Sequence, residues 1–172
     1  MLKTSFVIVM LFSLVILIPS CETRESSDDI LCEYKIDSLE KIIENDNIEF
    51  DREISYDNNG SIKIVSQGQA VAYLYDTGDL DIENAVIIYK AKLKAENLEG
   101  TAYLQMWCVF EGKGEYFSRG LDFTVSGTKD WIEVQTPFML KKGENPVNIK
   151  LQIVVAGSGT VWIDDIKIVK SR

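Results

Sequence analysis

From about residue 58 onward, apolar and polar side chains take turns with a period of two. In 101–110, Ala102, Leu104, Met106, Cys108 and Phe110 share one side. In 147–155 the same side holds Val147, Ile149, Leu151, Ile153 and Val155. In 86–95 it holds Ile87, Tyr89, Ala91, Leu93 and Ala95, which leaves Lys90, Lys92 and Lys94 for solvent. Successive side chains of a β-strand point to opposite faces, so each stripe describes a strand with one buried face. A slip of one residue would turn the whole stripe into water, so register is strongly specified.

Strand-like runs lie near 61–66, 70–75, 86–95, 101–110, 116–125, 131–138, 147–155 and 160–169. The separators mostly hold glycine: Gly60, Gly68, Gly78, Gly100, Gly112 with Gly114, Gly127, Gly143, and Gly157 with Gly159. Short strands punctuated by such turns predict an all-β, antiparallel β-sandwich, and eight strands in two sheets is the jelly-roll count. One short N-terminal helix is expected over 37–45, capped by Asp37 with Glu40 three residues on and apolar at Leu39, Ile42 and Ile43. Nine residues are marginal alone, so it would plug one end of the domain.

The last run, Gly157 to Val169, carries a carboxylate in an apolar setting. Strict alternation places Trp162, Ile166 and Ile168 on one face with Asp164 among them. A lone buried charge is costly, so Asp164 needs a hydrogen bond, a metal or a cationic partner. Arg119 is a candidate partner, because alternation over 116–125 groups it with Phe117, Leu121 and Phe123.

Residues 1–20 read as a separate unit. Lys3 precedes an apolar run from Phe6 to Ile18, interrupted only by Ser13. That is short for a bilayer span, which needs roughly 20 apolar residues, and has the form of a secretory signal. Ile18-Pro19-Ser20-Cys21 resembles the bacterial lipobox, which implies a lipoprotein signal peptide cleaved before Cys21 and lipid on the Cys21 sulfur. Residues 21–30 are polar and read as a tether, and 31–172 as the sandwich domain. The expected location is the bacterial cell envelope, lipid-anchored to a membrane, with the domain outside the cytoplasm.

From Cys21 on, the chain keeps 17 of the 18 basic residues and all 27 acidic ones, a net charge of −10. This excludes nucleic acid as a partner, which requires a basic footprint. Export permits a disulfide between Cys32 and Cys108, whereas the core position of Cys108 suits a free thiol acting as a small hydrophobe. Both readings stand at this level.

There is no histidine, which removes His-based triads and the usual zinc sites. Asp79, Asp81 and Glu83 on one loop are the carboxylates a hydrolase would use, but they read more simply as a solvated turn. Asp164 and Asp165 are adjacent on a strand and point opposite ways. The expectation is a protein that is not an enzyme.

The face opposite the 101–110 core stripe carries Tyr103, Gln105 and Trp107. A neighbouring strand lines the same kind of face with Asn148, Lys150 and Gln152. Aromatic planes stack on the C–H face of a sugar, and amides offer hydroxyls both donor and acceptor. Tyr103, Gln105, Trp107 and Gln152 are therefore the candidate ligand-binding residues. The competing reading has Trp107 packed beneath a loop or the 37–45 helix. Trp131 and Trp162 are assigned to structure.

GSIKIV at 60–65, GTKDWIEV at 127–134 and GTVWIDDIKIV at 159–169 resemble the galactose-binding-like jelly roll of carbohydrate-binding modules, over roughly residues 50–172. DIENAVIIYKAKLK and YLQMWCVFEGKGEYFSRGL also resemble a group of small exported bacterial proteins. The first resemblance implies a non-catalytic, carbohydrate-binding sandwich, with Trp131 packed inside. It also implies that the inward Asp of the last strand, here Asp164, helps hold a structural calcium; no other cofactor is implied. Partners are then the membrane, through the lipid, and a glycan or an envelope protein. The alternative is a structural or protein-interaction lipoprotein with no small ligand.

Overall fold

The computed structural model describes residues 28–43 and 47–171. The signal segment, Cys21 and most of the tether lie outside them. Seven strands form: β1 (Asp29–Tyr34), β2 (Ile48–Asp51), β3 (Ser61–Asp76), β4 (Ala85–Phe110), β5 (Gly114–Arg119), β6 (Val125–Leu140) and β7 (Asn148–Lys170). Every pairing is antiparallel. The hydrogen-bonded order is β2-β3-β7-β4-β5, with β1 added on β7 and β6 on β4.

This one sheet folds over into two leaves because three strands are long: β3 has 16 residues, β4 has 26 and β7 has 23. In the first leaf, Ile87–Glu96 of β4 pairs with Lys170–Thr160 of β7 and, on its other side, with β6. In the second, Glu99–Val109 of β4 pairs with Ser158–Asn148 of β7, and β5 lies beyond. β3 divides in the same way, its start against Ile163–Ser158 and its end against Val155–Lys150.

The expected pairs of separate runs are thus single strands, and the glycines between them are not hairpin turns. Gly157 stands opposite both Gly68 and Gly100. A side chain at Gly157 would collide with the Glu99 carbonyl oxygen, and one at Gly100 with that of Ala156. Both residues also have positive φ, +152° and +123°. Close backbone approach, rather than chain reversal, is why glycine is required here.

The apolar stripes of both leaves meet in one core. Ala102, Leu104, Met106, Cys108 and Phe110 are all buried, as are Ile87, Tyr89, Ala91, Leu93 and Ala95. Lys90, Lys92 and Lys94 point out and pair with Asp28, Glu133 and Asp130. Val147 departs from its stripe: it precedes β7 and is exposed. Cys32 and Cys108 are free thiols, and burial pushes Cys108 up to about 12.

The expected helix over 37–45 does not form in residues 37–43, and Glu44 and Asn45 lie outside the described residues. The stretch makes a turn in which Ile42 N–H donates to the Leu39 carbonyl, and Ile43 N–H crosses to Leu74. Leu39 and Ile42 still pack on the core. Side-chain burial holds the segment without the helical ladder, as expected for a stretch too short to nucleate one.

Strict alternation also fails at one point on β7. Between Lys90↔Lys167 and Lys92↔Asp164, three residues of β4 face four of β7. Asp165 takes φ +50° there, a β-bulge that shifts the phase by one residue. Val161 and Ile163 therefore join Ile166 and Ile168 in the core, and Trp162 and Asp164 point outward.

Asp164 is nevertheless 1% exposed, because the loop after β2 folds across this outer face. Tyr56 N–H (2.8 Å) and Ser55 Oγ–H (3.2 Å) donate to Asp164 Oδ2, and Asp165 N–H (2.8 Å) donates to Oδ1. Trp162 Nε1–H donates to Asp51 Oδ2 at 2.9 Å. The Tyr56 ring meets Trp131 edge-on at 6.1 Å and lies 5.0 Å from the Lys92 ammonium. Trp131 is thus half-buried under this loop and not in the core. The outer face of the first leaf is covered around Asp164 and Trp162.

Three substitutions test these contacts. Gly157→Ala should destabilise the protein by about 3 kcal/mol or more, because backbone must separate at the crossing; the urea midpoint measures this. Gly112→Ala, with open space around it, should cost about 1 kcal/mol from φ alone. Asp164→Ala should cost about 2–4 kcal/mol by stranding the Tyr56 and Asp165 N–H groups, and hydrogen exchange at Tyr56 should speed up selectively.

Candidate functional site

The outer face of the second leaf is built by four strand segments in register. Tyr73 of β3 stands opposite Gln152 of β7, Gln152 opposite Gln105 of β4, and Gln105 opposite Arg119 of β5. One polar row thereby crosses the leaf. Beside it runs Lys150, Trp107 and Phe117; on its other side lie Val154 and Tyr103. Tyr103, Gln105, Trp107 and Gln152 therefore come together, as the alternation implied.

The row is internally bonded. Gln105 Nε2–H donates to Gln152 Oε1 at 2.7 Å, and Trp107 Nε1–H donates to the same oxygen at 3.1 Å. Gln105 Oε1 accepts from Arg119 Nε–H at 2.6 Å. These bonds fix both amide orientations, since each oxygen must face a donor. Gln105, only 6% exposed, is thereby a positioning residue, with both ends of its amide committed. No hydrogen bond among the described residues uses Gln152 Nε2, so its two donors remain available.

The aromatic part is equally defined. The Trp107 ring packs 5.0 Å from Phe117 at 51°. The Arg119 guanidinium lies 4.6 Å from the Phe117 ring centre, a cation–π contact. Phe117 is 50% exposed, and Trp107 and Tyr103 are half-buried. Trp107 contacts Gln152 and Phe117, whereas the backbone bond of the 37–43 turn runs to Leu74 of β3. Asn148 and Lys150 are engaged at the rim, with Asp76 at 2.8 Å and Glu115 at 2.6 Å. Burial, with Asp76 accepting from its hydroxyl, holds the Tyr73 phenol well above its usual range.

Phe117, Arg119 and Tyr73 were missing from the sequence-derived set, although the signal existed. The Glu111-Gly112-Lys113 turn joins β4 to β5 with Phe110 opposite Gly114. Counting back from that pair brings Phe117 to Trp107 and Arg119 to Gln105. β5 then stops at Arg119, so the expected 116–125 strand is shorter. Leu121 and Phe123 sit in a loop, exposed by 61% and 43%. Gly120 N–H ties this loop to the Leu104 carbonyl at 2.9 Å, beside the same face. Arg119 is bonded to Gln105 and stacked on Phe117, and Asp164 is bonded from a different leaf, so the suggested Arg119–Asp164 pair does not form.

The residues around Asp164 do not fit calcium. Burial pushes its carboxyl above the ordinary range, and the Tyr56 and Asp165 N–H groups pull it back. Those donors occupy both oxygens and supply the positive partial charge that a cation would. Calcium takes about six to eight oxygen ligands, and no group of three or more His, Cys, Asp or Glu suited to a metal occurs among the described residues.

The acidic loop is bonded into the scaffold. Asp79 Oδ1 accepts from Asp81 N–H (2.8 Å) and Asn145 Nδ2–H (2.9 Å), which hold the carboxyl below its ordinary value. Glu83 accepts from Gly143 N–H.

No protein-family model and no curated protein matches the chain. Solved structures are similar to it. Over 84% of this chain and 29% of the other, it superposes with TM-score 0.64 and 16% identity on the CBM22-1–GH10 modules of Clostridium thermocellum endo-1,4-β-D-xylanase 10B complexed with xylohexaose. The CBM22-1 xylan-binding domain of Paenibacillus barcinonensis Xyn10C matches with TM-score 0.56 and 12% identity, over 84% of this chain and 96% of that one. A family 30 carbohydrate-binding module matches with TM-score 0.57 and 18% identity, over 84% and 99%. The chain thus spans under a third of the first neighbour and nearly the whole of each isolated module. Its fold is the β-sandwich jelly roll of carbohydrate-binding modules.

Proposed function

We propose that this protein is an exported lipoprotein, anchored through Cys21, whose second leaf binds a glycan without catalysing a reaction on it. One observation carries the proposal: the outer face of that leaf is open and combines Trp107, Phe117 and Tyr103 with a pre-bonded row of amides. Aromatic planes at fixed angles suit sugar rings, and a network bonded before the ligand arrives lowers the ordering cost of binding. The first leaf offers no such surface, since the 52–60 loop covers Asp164, Trp162 and Trp131. The fold likeness to modules described as xylan-binding supports a polysaccharide as the ligand. A platform on one leaf, with the nearby carboxylates bonded into loops, supports binding without hydrolysis.

A second reading has one specific observation in its favour. Leu121 and Phe123 are exposed together in a loop tied to the edge of the same face, and paired exposed apolar side chains also suit a protein partner. Under that reading the platform would be a protein-docking surface of an envelope lipoprotein.

Titration calorimetry with xylohexaose and other soluble oligosaccharides tests the first reading. Binding should be detected, and Trp107→Ala should weaken it about tenfold or more, with the thermal midpoint little changed. Absence of binding to every saccharide, with a stoichiometric protein recovered from envelope extracts through Leu121 and Phe123, would favour the second. Anchoring is tested separately: Cys21→Ser should move the protein from the membrane fraction to the soluble one.

A further inference from the structure

Arg119 is a cation with no ion-pair partner among the described residues, at the end of β5 on the edge of the face proposed to bind a glycan. Among the described residues it takes part in no ion pair, although six others form there. It is exposed, yet its orientation is set from two sides. Its Nε–H is held by Gln105 Oε1 at 2.6 Å, and its plane is supported by Phe117 at 4.6 Å. Neither contact uses the two terminal nitrogens. The charged edge of the guanidinium is therefore positioned and left without an acceptor.

Other cations of this chain, whose net charge is −9, also lack an ion pair, but Arg119 is held in one orientation from two sides. Acidic side chains abound, and Lys150 on the neighbouring row does find one, Glu115 at 2.6 Å. Gln105 is a neutral acceptor and leaves the Arg119 charge uncompensated. It also spaces the guanidinium from Gln152, whose free amide donors lie one strand further along the same row. A planar fork with two parallel donors matches a carboxylate in bidentate geometry.

On the reading that this face binds a glycan, we infer that the ligand is an acidic polysaccharide. A uronic acid carboxylate would pair with Arg119 while neighbouring sugar rings lie over Trp107 and Phe117. The charge on the ligand is sparse, because Asp76 at the rim and the chain's net charge of −9 would repel a chain charged at every unit. That argument favours occasional uronate branches over a densely charged phosphate polymer, which would need several cations along its path.

The test compares three probes on the folded protein by titration calorimetry: neutral xylohexaose, a xylo-oligosaccharide of equal length bearing one glucuronate, and the carboxyl-reduced form of the latter. The glucuronate probe should bind about tenfold tighter than the other two, and the advantage should shrink as salt is raised. Arg119→Gln should bring the acidic-to-neutral ratio to about one. Arg119→Lys, which keeps the charge but loses the fork, should leave an intermediate ratio and keeps the test open if the glutamine variant misfolds. Equal binding of all three probes, or an equal loss for acidic and neutral probes in Arg119→Gln, would overturn the inference while leaving glycan binding intact. Tighter binding of a polyol-phosphate polymer than of the glucuronate probe would overturn it too. Failure of every saccharide to bind would instead remove the glycan reading on which it rests.

Discussion

The architecture depends on how closely the backbones of β4 and β7 approach at Gly100, Gly157 and Gly159. At that belt β3, β4 and β7 leave one leaf and enter the other; the β3–β7 ladder runs through without a shift, and the β4–β7 ladder takes a bulge between Glu96 and Glu99. Any side chain at Gly100 or Gly157 would meet a carbonyl oxygen of the neighbouring strand. Because the β3–β7 ladder continues through the crossing, the register of these two strands in one leaf fixes their register in the other. The row Tyr73, Gln152, Gln105 and Arg119 is aligned by the same constraint that aligns the core, so the site is set by the scaffold and not by loops.

The two leaves have different outer surfaces for a local reason. On β7 the bulge at Asp165 turns Asp164 and Trp162 outward, where a carboxylate and an indole N–H would face water. The loop after β2 covers both, with Tyr56 and Ser55 donating to Asp164 and Asp51 accepting from Trp162. On the second leaf no segment among the described residues takes that part, and the polar groups satisfy one another across strands. A covered face holds its polar groups for stability. An open face whose amides are already bonded keeps its aromatic rings and spare donors for something else.

Much of the fold was legible in the residues. The stripes on 86–95, 101–110 and 149–155 are local facts, because alternation follows from strand geometry alone, and they led to the right core and to the face holding Tyr103, Gln105, Trp107 and Gln152. Reading the glycines as turns was reasonable locally, since positive φ serves a hairpin and a close crossing equally well. The number of strands came out differently for that reason. Asp164 was misplaced because a bulge leaves no mark in composition, and one extra residue inverts every face that follows it. The 37–43 turn shows the same limit: an apolar face at helical spacing holds Leu39 and Ile42 on the core whether or not the helix closes.

By itself, the sequence determined that the chain is a sandwich of antiparallel strands and which side of each long stripe is buried. It also determined that the chemistry is carried without histidine. These follow from period-two patterning and composition, which do not depend on distant parts of the chain. Tertiary structure alone decided which outer face stays open and which neighbours Arg119 and Asp164 receive. Those are matters of pairing between residues far apart in the chain, and pairing is set by backbone crossings and bulges rather than by local preference.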